Sequence, residues 1–322
     1  MPKVVFFNGM GEKVAQTFLG MAPPGFEATW RPHTVSDAEK GPLVREAEFL
    51  VLHPGVIAEK VLREGKRLRL IQLLSAGYDR MDLRLTGELG VPVATNGGAN
   101  SWAVSEHAIA LLLAVYKRLL HCDRAVREGR WREAVSGFDT FEVAGKTVGL
   151  IGAGNIGRKV ARRLHAFECR ILYYDVVPSP EIERDLGARR VSLEEVLREA
   201  DIVTLHLPLT KQSKGLLGRR ELALMKPTAV LINTSRGPIV DEEALIEALQ
   251  ERRIWGAGLD VFHREPLPAD SPLMKLDNVV LTPHSAGTAY EGWARRSQFA
   301  WENIQRVARG EPPLSLAVPE EV

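Results

Sequence analysis

The feature that most constrains this chain is the stretch Thr147-Val-Gly-Leu-Ile-Gly-Ala-Gly-Asn-Ile-Gly157, with Tyr173-Tyr174-Asp175 following it. The apolar run from Val148 to Ile151 reads as a buried strand and leads straight into Gly152-x-Gly154-x-x-Gly157. Beyond the glycines, Ile156, Val160, Ala161 and Leu164 recur at helical spacing. This order predicts strand, tight turn and helix. In such a turn the first glycine permits the bend, the second lets a pyrophosphate approach the backbone, and the third packs helix against strand. The helix start offers free N–H groups and the positive end of its dipole to phosphates. A second strand over residues 170–174 ends in Asp175, eighteen residues past Gly157, where a carboxylate can accept hydrogen bonds from an adenosine ribose. The combination predicts dinucleotide binding, and the acid favours NAD over NADP. Arg189 and Arg190 count against that preference if the fold brings them beside a 2′-phosphate.

At 322 residues the chain is long enough for two domains of ordinary size. A hydrophobic fraction of 45% and a charged fraction of 26% describe a globular protein. The net charge of +1 makes no electrostatic case for nucleic acid or an anionic membrane as partner. The apolar run Ala108 to Tyr116 is far shorter than a membrane span, and Met-Pro-Lys-Val-Val-Phe-Phe at the start has no signal-peptide architecture. Cys122 and Cys169 lack any Cys-x-x-Cys spacing, and both are expected to be buried, reduced and structural. A cytoplasmic setting is the expectation.

Short apolar strands alternate with helical segments along the chain, which argues for parallel sheets with crossover helices. In the first hundred residues the strands are expected at 4–8, 48–53, 69–74 and 92–95, with helices near 14–19, 58–64 and 83–89. From 147 onward they are expected at 148–151, 170–174, 202–206, 229–233, 256–259 and 279–282. Two doubly wound parallel-sheet domains follow. The joint falls near Gly97-Gly98-Ala99-Asn100, and residues 101–120 read as one long helix. In it Val104, Ala108, Leu111, Leu112, Val115 and Leu119 trace an apolar stripe, fit either for the core or for a subunit interface. A last helical stretch near 290–307 can return to the first domain. The expected division is residues 1–99 with 290–322 as a substrate domain, and 100–289 as a dinucleotide-binding domain.

Open α/β sheets place ligands outside the carboxyl ends of their strands. Three stretches put polar groups there: Asn233-Thr-Ser-Arg236-Gly-Pro, Asp260-Val-Phe-His-Arg-Glu265-Pro, and Thr282-Pro-His284-Ser-Ala-Gly. Arg236 can grip a carboxylate through a two-pronged hydrogen bond and polarise a neighbouring carbonyl. His284 can protonate an alkoxide as hydride arrives, and Glu265, if bonded to His284, would fix its tautomer. Taken singly, such an arginine or glutamate is usually a solvated surface group, and such a histidine serves equally well as a helix cap. Their joint placement behind a dinucleotide fold is what points to hydride chemistry.

With these motifs in view the chain resembles the D-isomer-specific 2-hydroxyacid dehydrogenases, the family of phosphoglycerate dehydrogenase, glyoxylate reductase and formate dehydrogenase. The resemblance covers most of the chain. It rests on the Gly-rich stretch, on Thr204-Leu-His206-Leu-Pro208-Leu-Thr210, on Asn233 to Glu242, on Gly258 to Pro266 and on Thr282 to Gly287. It implies a Rossmann NAD-binding domain inserted in a flavodoxin-like substrate domain. It also implies an oxidoreductase that moves a hydride between NAD(H) and a small 2-keto or D-2-hydroxy acid such as glyoxylate or hydroxypyruvate. Arg236 would be the substrate-binding arginine, and Glu265 with His284 the acid–base pair. Cofactor contacts would come from Gly152, Gly154, Asn155, Ile156, Gly157, Asp175, His206, Leu207, Pro208, Thr234, Ser235, Asp260, Ala286 and Gly287, with Asp260 on the nicotinamide carboxamide.

In the first domain, Leu74-Ser75-Ala76-Gly77-Tyr-Asp79 looks like the family's loop whose amides receive the substrate carboxylate. Asn100-Ser-x-x-Val-Ser-Glu106-His107 resembles the start of the helix that carries the family's dimer interface, so a homodimer is expected. Phosphoglycerate dehydrogenases place an arginine where His53 stands, which weakens the case for a phosphorylated substrate. His53 is either a substrate contact or an ordinary strand-end histidine. Phosphite-oxidising relatives carry a lysine near Ala76, which this chain lacks. No regulatory domain is expected after the returning helix. A non-enzymatic NAD(H)-sensing corepressor and a phosphoglycerate dehydrogenase without that domain are the alternative readings.

Overall fold

The computed structural model describes residues 1–131 and 137–318. Residues 319–322, placed by the sequence reading in the substrate domain, lie outside the described residues. The chain divides into two compact units, Met1–Asn100 with Thr288–Val322, and Ser101–Gly287.

Within the described residues the first unit holds five parallel strands, ordered β2-β1-β3-β4-β5: β1 Lys3–Asn8, β2 Glu27–Pro32, β3 Phe49–His53, β4 Leu70–Leu73 and β5 Val93–Ala94. A parallel sheet is covered on both faces, so its strands read as near-continuous apolar runs. The fully buried β3 segment Phe-Leu-Val-Leu obeys that rule. The helix Tyr290–Ala308 packs here, with Trp301 stacked on Phe18 at 4.7 Å and its Nε1 donating to the Phe18 carbonyl at 2.8 Å. The strand β2 has no counterpart in the sequence reading, because its half-exposed Glu-Ala-Thr-Trp-Arg-Pro shows no apolar periodicity.

The second unit carries a seven-stranded parallel sheet in the order β12-β11-β10-β9-β6-β7-β8. Its strands are β6 Thr147–Ile151, β7 Arg170–Tyr174, β8 Arg189–Arg190, β9 Ile202–Leu205, β10 Val230–Asn233, β11 Gly256–Leu259 and β12 Val279–Leu281. The order reverses between β6 and β9, and at such a switch point the loops diverge and leave a crevice for ligand. The edge strand β8, two exposed arginines, is also absent from the sequence reading.

The long helix expected over 101–120 breaks in two. Ser101–Tyr116 and Leu119–Arg127 are separated by Arg118 in a left-handed conformation, φ 47° and ψ 39°. The Arg118 side chain pairs with Asp139 at 3.1 Å and Asp277 at 3.9 Å. The apolar stripe is largely core. Leu111 and Val115 press onto the glycines of β11, Leu112 is buried with them, and Leu119 alone of the stripe lies exposed. Cys169 is buried as expected, whereas Cys122 is half-exposed, and both are free thiols. Among the described residues no helix is long and apolar enough to cross a membrane.

Candidate active site

The Gly-rich turn follows β6, whose five residues are all buried. Gly152 adopts φ +96°, and a Cβ there would lie 2.8 Å from the His206 carbonyl. At Gly157 a Cβ would lie 2.0 Å from the Gly152 carbonyl oxygen, so the helix Asn155–Ala166 reaches the turn only because both side chains are missing. Gly154 differs. A Cβ there would meet nothing within 4 Å, which leaves the open backbone a pyrophosphate needs. Asn155 and Ile156 open the helix.

Asp175 stands one residue past β7. Its carboxylate accepts from the Ala153 amide at 2.7 Å and the Val177 amide at 3.0 Å, which ties the second strand's end to the turn. Arg190 donates to the carbonyls of Asp175 and Val176 at 2.9 and 3.0 Å, whereas Arg189 pairs with Glu195 at 2.9 Å.

His206, Leu207 and Pro208 follow β9. The His206 amide bonds the Ile151 carbonyl at 2.7 Å, and its Nε2 lies 2.9 Å from Thr204 Oγ1. Burial pushes this imidazole down to about 3, so it is neutral at physiological pH. Its Nδ1 and Thr234 Oγ1, at the ends of β9 and β10, are buried atoms without a hydrogen-bond partner among the described residues. A buried polar atom left unpaired is costly. Two such atoms beside the open turn fit a bound dinucleotide that supplies the missing partners.

After β10, Asn233 Oδ1 accepts from the Ser235 amide and hydroxyl at 3.0 and 2.8 Å, and its Nδ2 donates to the Arg236 carbonyl at 3.0 Å. This closed turn aims the half-buried Arg236. The following Gly237 sits hard against the Phe262–His263 backbone, where a Cβ would lie 2.0 Å from Phe262, so the arginine and Glu265 turns are locked side by side.

The Glu265 carboxylate accepts from the Phe262 amide through Oε1 at 3.1 Å and lies 2.8 Å from His284 Nδ1 through Oε2. A carboxylate only accepts, so Nδ1 carries the proton and Nε2 is the ring atom left for substrate. The His284 side chain is 45% exposed, against 21% for Glu265. His284 has φ +50°, a left-handed backbone that a non-glycine residue adopts only when its surroundings enforce it. Asp260, fully buried, enforces it through bonds to Thr282, Ser285 and Ala286. Gly287 ends this loop. His107, in the motif that opens the helix Ser101–Tyr116, lies 2.9 Å from Thr282.

In the first unit, Ser75, Ala76 and Gly77 follow β4 in a half-exposed loop. Ser75 Oγ donates to the Gly77 carbonyl at 2.7 Å, and the Asn96 amide donates to the Ser75 carbonyl at 3.0 Å. His53 ends β3 with its ring edge-on to Trp293 at 5.1 Å. Arg296 lies over the same indole at 4.4 Å, and burial lowers its guanidinium to about 10. Neither Trp293 nor Arg296 carries a local sequence signature, since a helical pattern does not reveal which strand end it covers. A separate cavity of about 500 Å³, lined by Arg118, Leu120, Thr228, Trp255 and Asn278, opens at the amino ends of β10 to β12, the wrong edge of the sheet for this chemistry.

A family model described as D-isomer specific 2-hydroxyacid dehydrogenase, NAD binding domain, matches residues 109–286. A glyoxylate reductase from Korarchaeum cryptofilum is 41% identical over 285 residues, 87% of this chain and 85% of the relative. The NAD-complexed D-isomer specific 2-hydroxyacid dehydrogenase of Lactobacillus delbrueckii ssp. bulgaricus matches with a TM-score of 0.82 at 27% identity, covering 98% of this chain and 100% of that one. An NADPH-dependent glyoxylate/hydroxypyruvate reductase from Sinorhizobium meliloti, solved with citrate, reaches a TM-score of 0.86 at 27% identity over 99% and 98% of the two chains.

Proposed function

Because the chain belongs to the D-isomer specific 2-hydroxyacid dehydrogenases, NAD-dependent oxidoreductases of small 2-keto and 2-hydroxy acids, we propose that it reduces glyoxylate and hydroxypyruvate with NADH through Arg236, Glu265 and His284. The observation that carries this reading is the 2.8 Å contact between His284 Nδ1 and Glu265 Oε2, in a His284 side chain that is 45% exposed.

Bound NADH supplies the hydride for the keto carbon. Arg236 clamps the substrate carboxylate and draws electron density from the adjoining carbonyl. His284 Nε2 donates a proton to that oxygen as it becomes an alkoxide, and takes it back in the reverse direction. Glu265 holds Nδ1–H, sets the tautomer and balances the imidazolium charge. In the first unit the Ser75–Ala76–Gly77 loop and His53 are the candidate substrate contacts. The dinucleotide is held by Gly152, Gly154, Asn155, Ile156 and Gly157 at the pyrophosphate and by Asp175 at the ribose. His206, Leu207, Pro208, Thr234, Ser235, Ala286 and Gly287 would make further contacts to the dinucleotide, and Asp260 would hold the nicotinamide carboxamide.

Following NADH absorbance with glyoxylate, hydroxypyruvate, pyruvate and 3-phosphohydroxypyruvate tests the reading. Turnover of the first two above the phosphorylated acid is expected. Turnover of none of the four, in protein that binds NADH, overturns it in favour of a cofactor-sensing role.

The working form is a homodimer in the cytoplasm. Leu119, Leu120, Val126, Trp131 and Phe138 are all exposed large apolar side chains within one short stretch of the second unit. Exposed large apolar side chains gathered in one stretch fit an association face. Leu112 and Val115 are spent on the core, so Leu120→Glu is the substitution that separates subunits without damaging the fold. Wild-type protein sedimenting as a monomer at micromolar concentration refutes the dimer.

A further inference from the structure

Asp260 does more than line the nicotinamide side of the site. Its carboxylate gathers three donors: Thr282 Oγ1 at 2.6 Å and the Ser285 amide at 2.9 Å on Oδ1, and the Ala286 amide at 2.8 Å on Oδ2. Its carbonyl accepts the His284 amide at 2.8 Å. Four bonds from one fully buried residue thus hold the segment that presents His284 in its left-handed conformation.

A fifth group reaches this cluster from a distant part of the chain. His107, on the helix Ser101–Tyr116, places Nε2 2.9 Å from Thr282 Oγ1 and 3.6 Å from Asp260 Oδ1. A hydroxyl has one proton. Thr282 spends it on Asp260, so its oxygen must accept from His107, whose Nε2 therefore carries hydrogen. The imidazole N–H then serves the threonine oxygen, with the buried carboxylate 3.6 Å from the same nitrogen. Hydrogen-bond chains of this kind polarise one another, and a low-dielectric surrounding strengthens them. The helix bearing His107 is itself packed on β11 through Leu111 and Val115, which makes it a rigid mount.

We infer that His107 is a positioning residue for proton transfer, acting through Thr282 and Asp260 to hold the His284 loop. The inference rests on the reading of His284 as proton donor. In that arrangement Arg236 binds the substrate carboxylate independently of His107, so loss of His107 falls on kcat and spares KM.

The test is steady-state glyoxylate reduction by the full chain as wild type, His107→Leu, His107→Gln, His284→Ala and the His107→Leu/His284→Ala double variant. His107→Leu is expected to lower kcat about tenfold with KM and NADH affinity within about twofold, the scale of one lost supporting bond. His107→Gln, which keeps an N–H donor, restores most of the rate. In the His284→Ala background the leucine costs nothing further, because its route to the reaction is already cut. Should His107→Leu not fold, Thr282→Val breaks the same relay from the other side and is expected to give the same kcat-specific loss. Wild-type kcat in His107→Leu, or an undiminished tenfold loss in the double variant, overturns the inference. Wild-type turnover in His284→Ala overturns the proton-donor reading, and the inference falls with it.

Discussion

The turn after β6 and the loop after β12 both hold irregular backbone at strand ends, by opposite means. At Gly152 and Gly157 side chains are removed, so carbonyls and helix come within distances no Cβ would allow. At His284 a side chain must be present, so the strained backbone is fixed by adding bonds, four of them from Asp260. The first device leaves bare amides for a ligand that binds through phosphate oxygens. The second aims one imidazole and requires a buried carboxylate twenty-odd residues away to do so. Binding a polyanion needs open space, whereas moving a proton needs a ring held to within a fraction of an ångström.

The largest expected effect breaks the second device at its tip. His284→Ala should lower keto-acid reduction roughly a hundred- to ten-thousand-fold, the usual worth of a positioned acid, while NADH titrations are unchanged. Parallel loss of NADH binding would show that the two devices are not separable.

Two alanines sharpen the contrast within the glycine turn. Gly157→Ala forces a Cβ to 2.0 Å from a carbonyl oxygen and should destabilise the fold, by about 3 kcal/mol in chemical denaturation. Gly154→Ala meets no protein atom, so its denaturation midpoint should match wild type while NADH affinity falls about tenfold, near 1.4 kcal/mol. An unchanged NADH affinity would mean that the space beside Gly154 is not where phosphate sits.

His206, which backs the turn, supplies a pH test. Burial lowers its folded value to about 3 from the usual 6.5, so the folded chain refuses a proton that the unfolded chain accepts. Stability from this group is complete above the unfolded value and is lost as pH falls toward the folded one. The loss should reach about 2 kcal/mol by roughly pH 5. Urea midpoints at neutral pH and pH 5 should therefore converge in His206→Gln relative to wild type. Equal losses in both proteins would remove His206 from the account.

The smallest effect concerns the ribose. Asp175 already ties the turn through Ala153, and Arg190 caps the carbonyls beside it. Asp175→Ser should narrow the preference for NADH over NADPH by roughly fivefold, about 1 kcal/mol. A wild-type protein that favours NADPH in titration would reverse the assignment.

Much of this was legible in residue order. The strand–turn–helix at 147–166 and the polar clusters at Arg236, Glu265 and His284 are local patterns, each written within about a dozen residues. What escaped has no local signature. The exposed edge strands at 27–32 and 189–190 take their conformation from pairing with β1 and β7. The break at Arg118, whose side chain pairs with Asp139 and Asp277, is announced by no turn residue. The stripe at Leu111 and Val115 was ambiguous between core and interface until β11 was seen beneath it.

By itself, then, the sequence determined the buried strands, the glycine turn and the helix that follows it, because those choices depend on periodicity and on glycines that act within a few residues. Only the tertiary structure decided which groups meet: His107 with Thr282, Asp260 with the His284 loop, and Asp175 with Ala153. Those contacts span tens to hundreds of residues and depend on strand order. That order is chosen by the burial of whole faces, and no single motif records it.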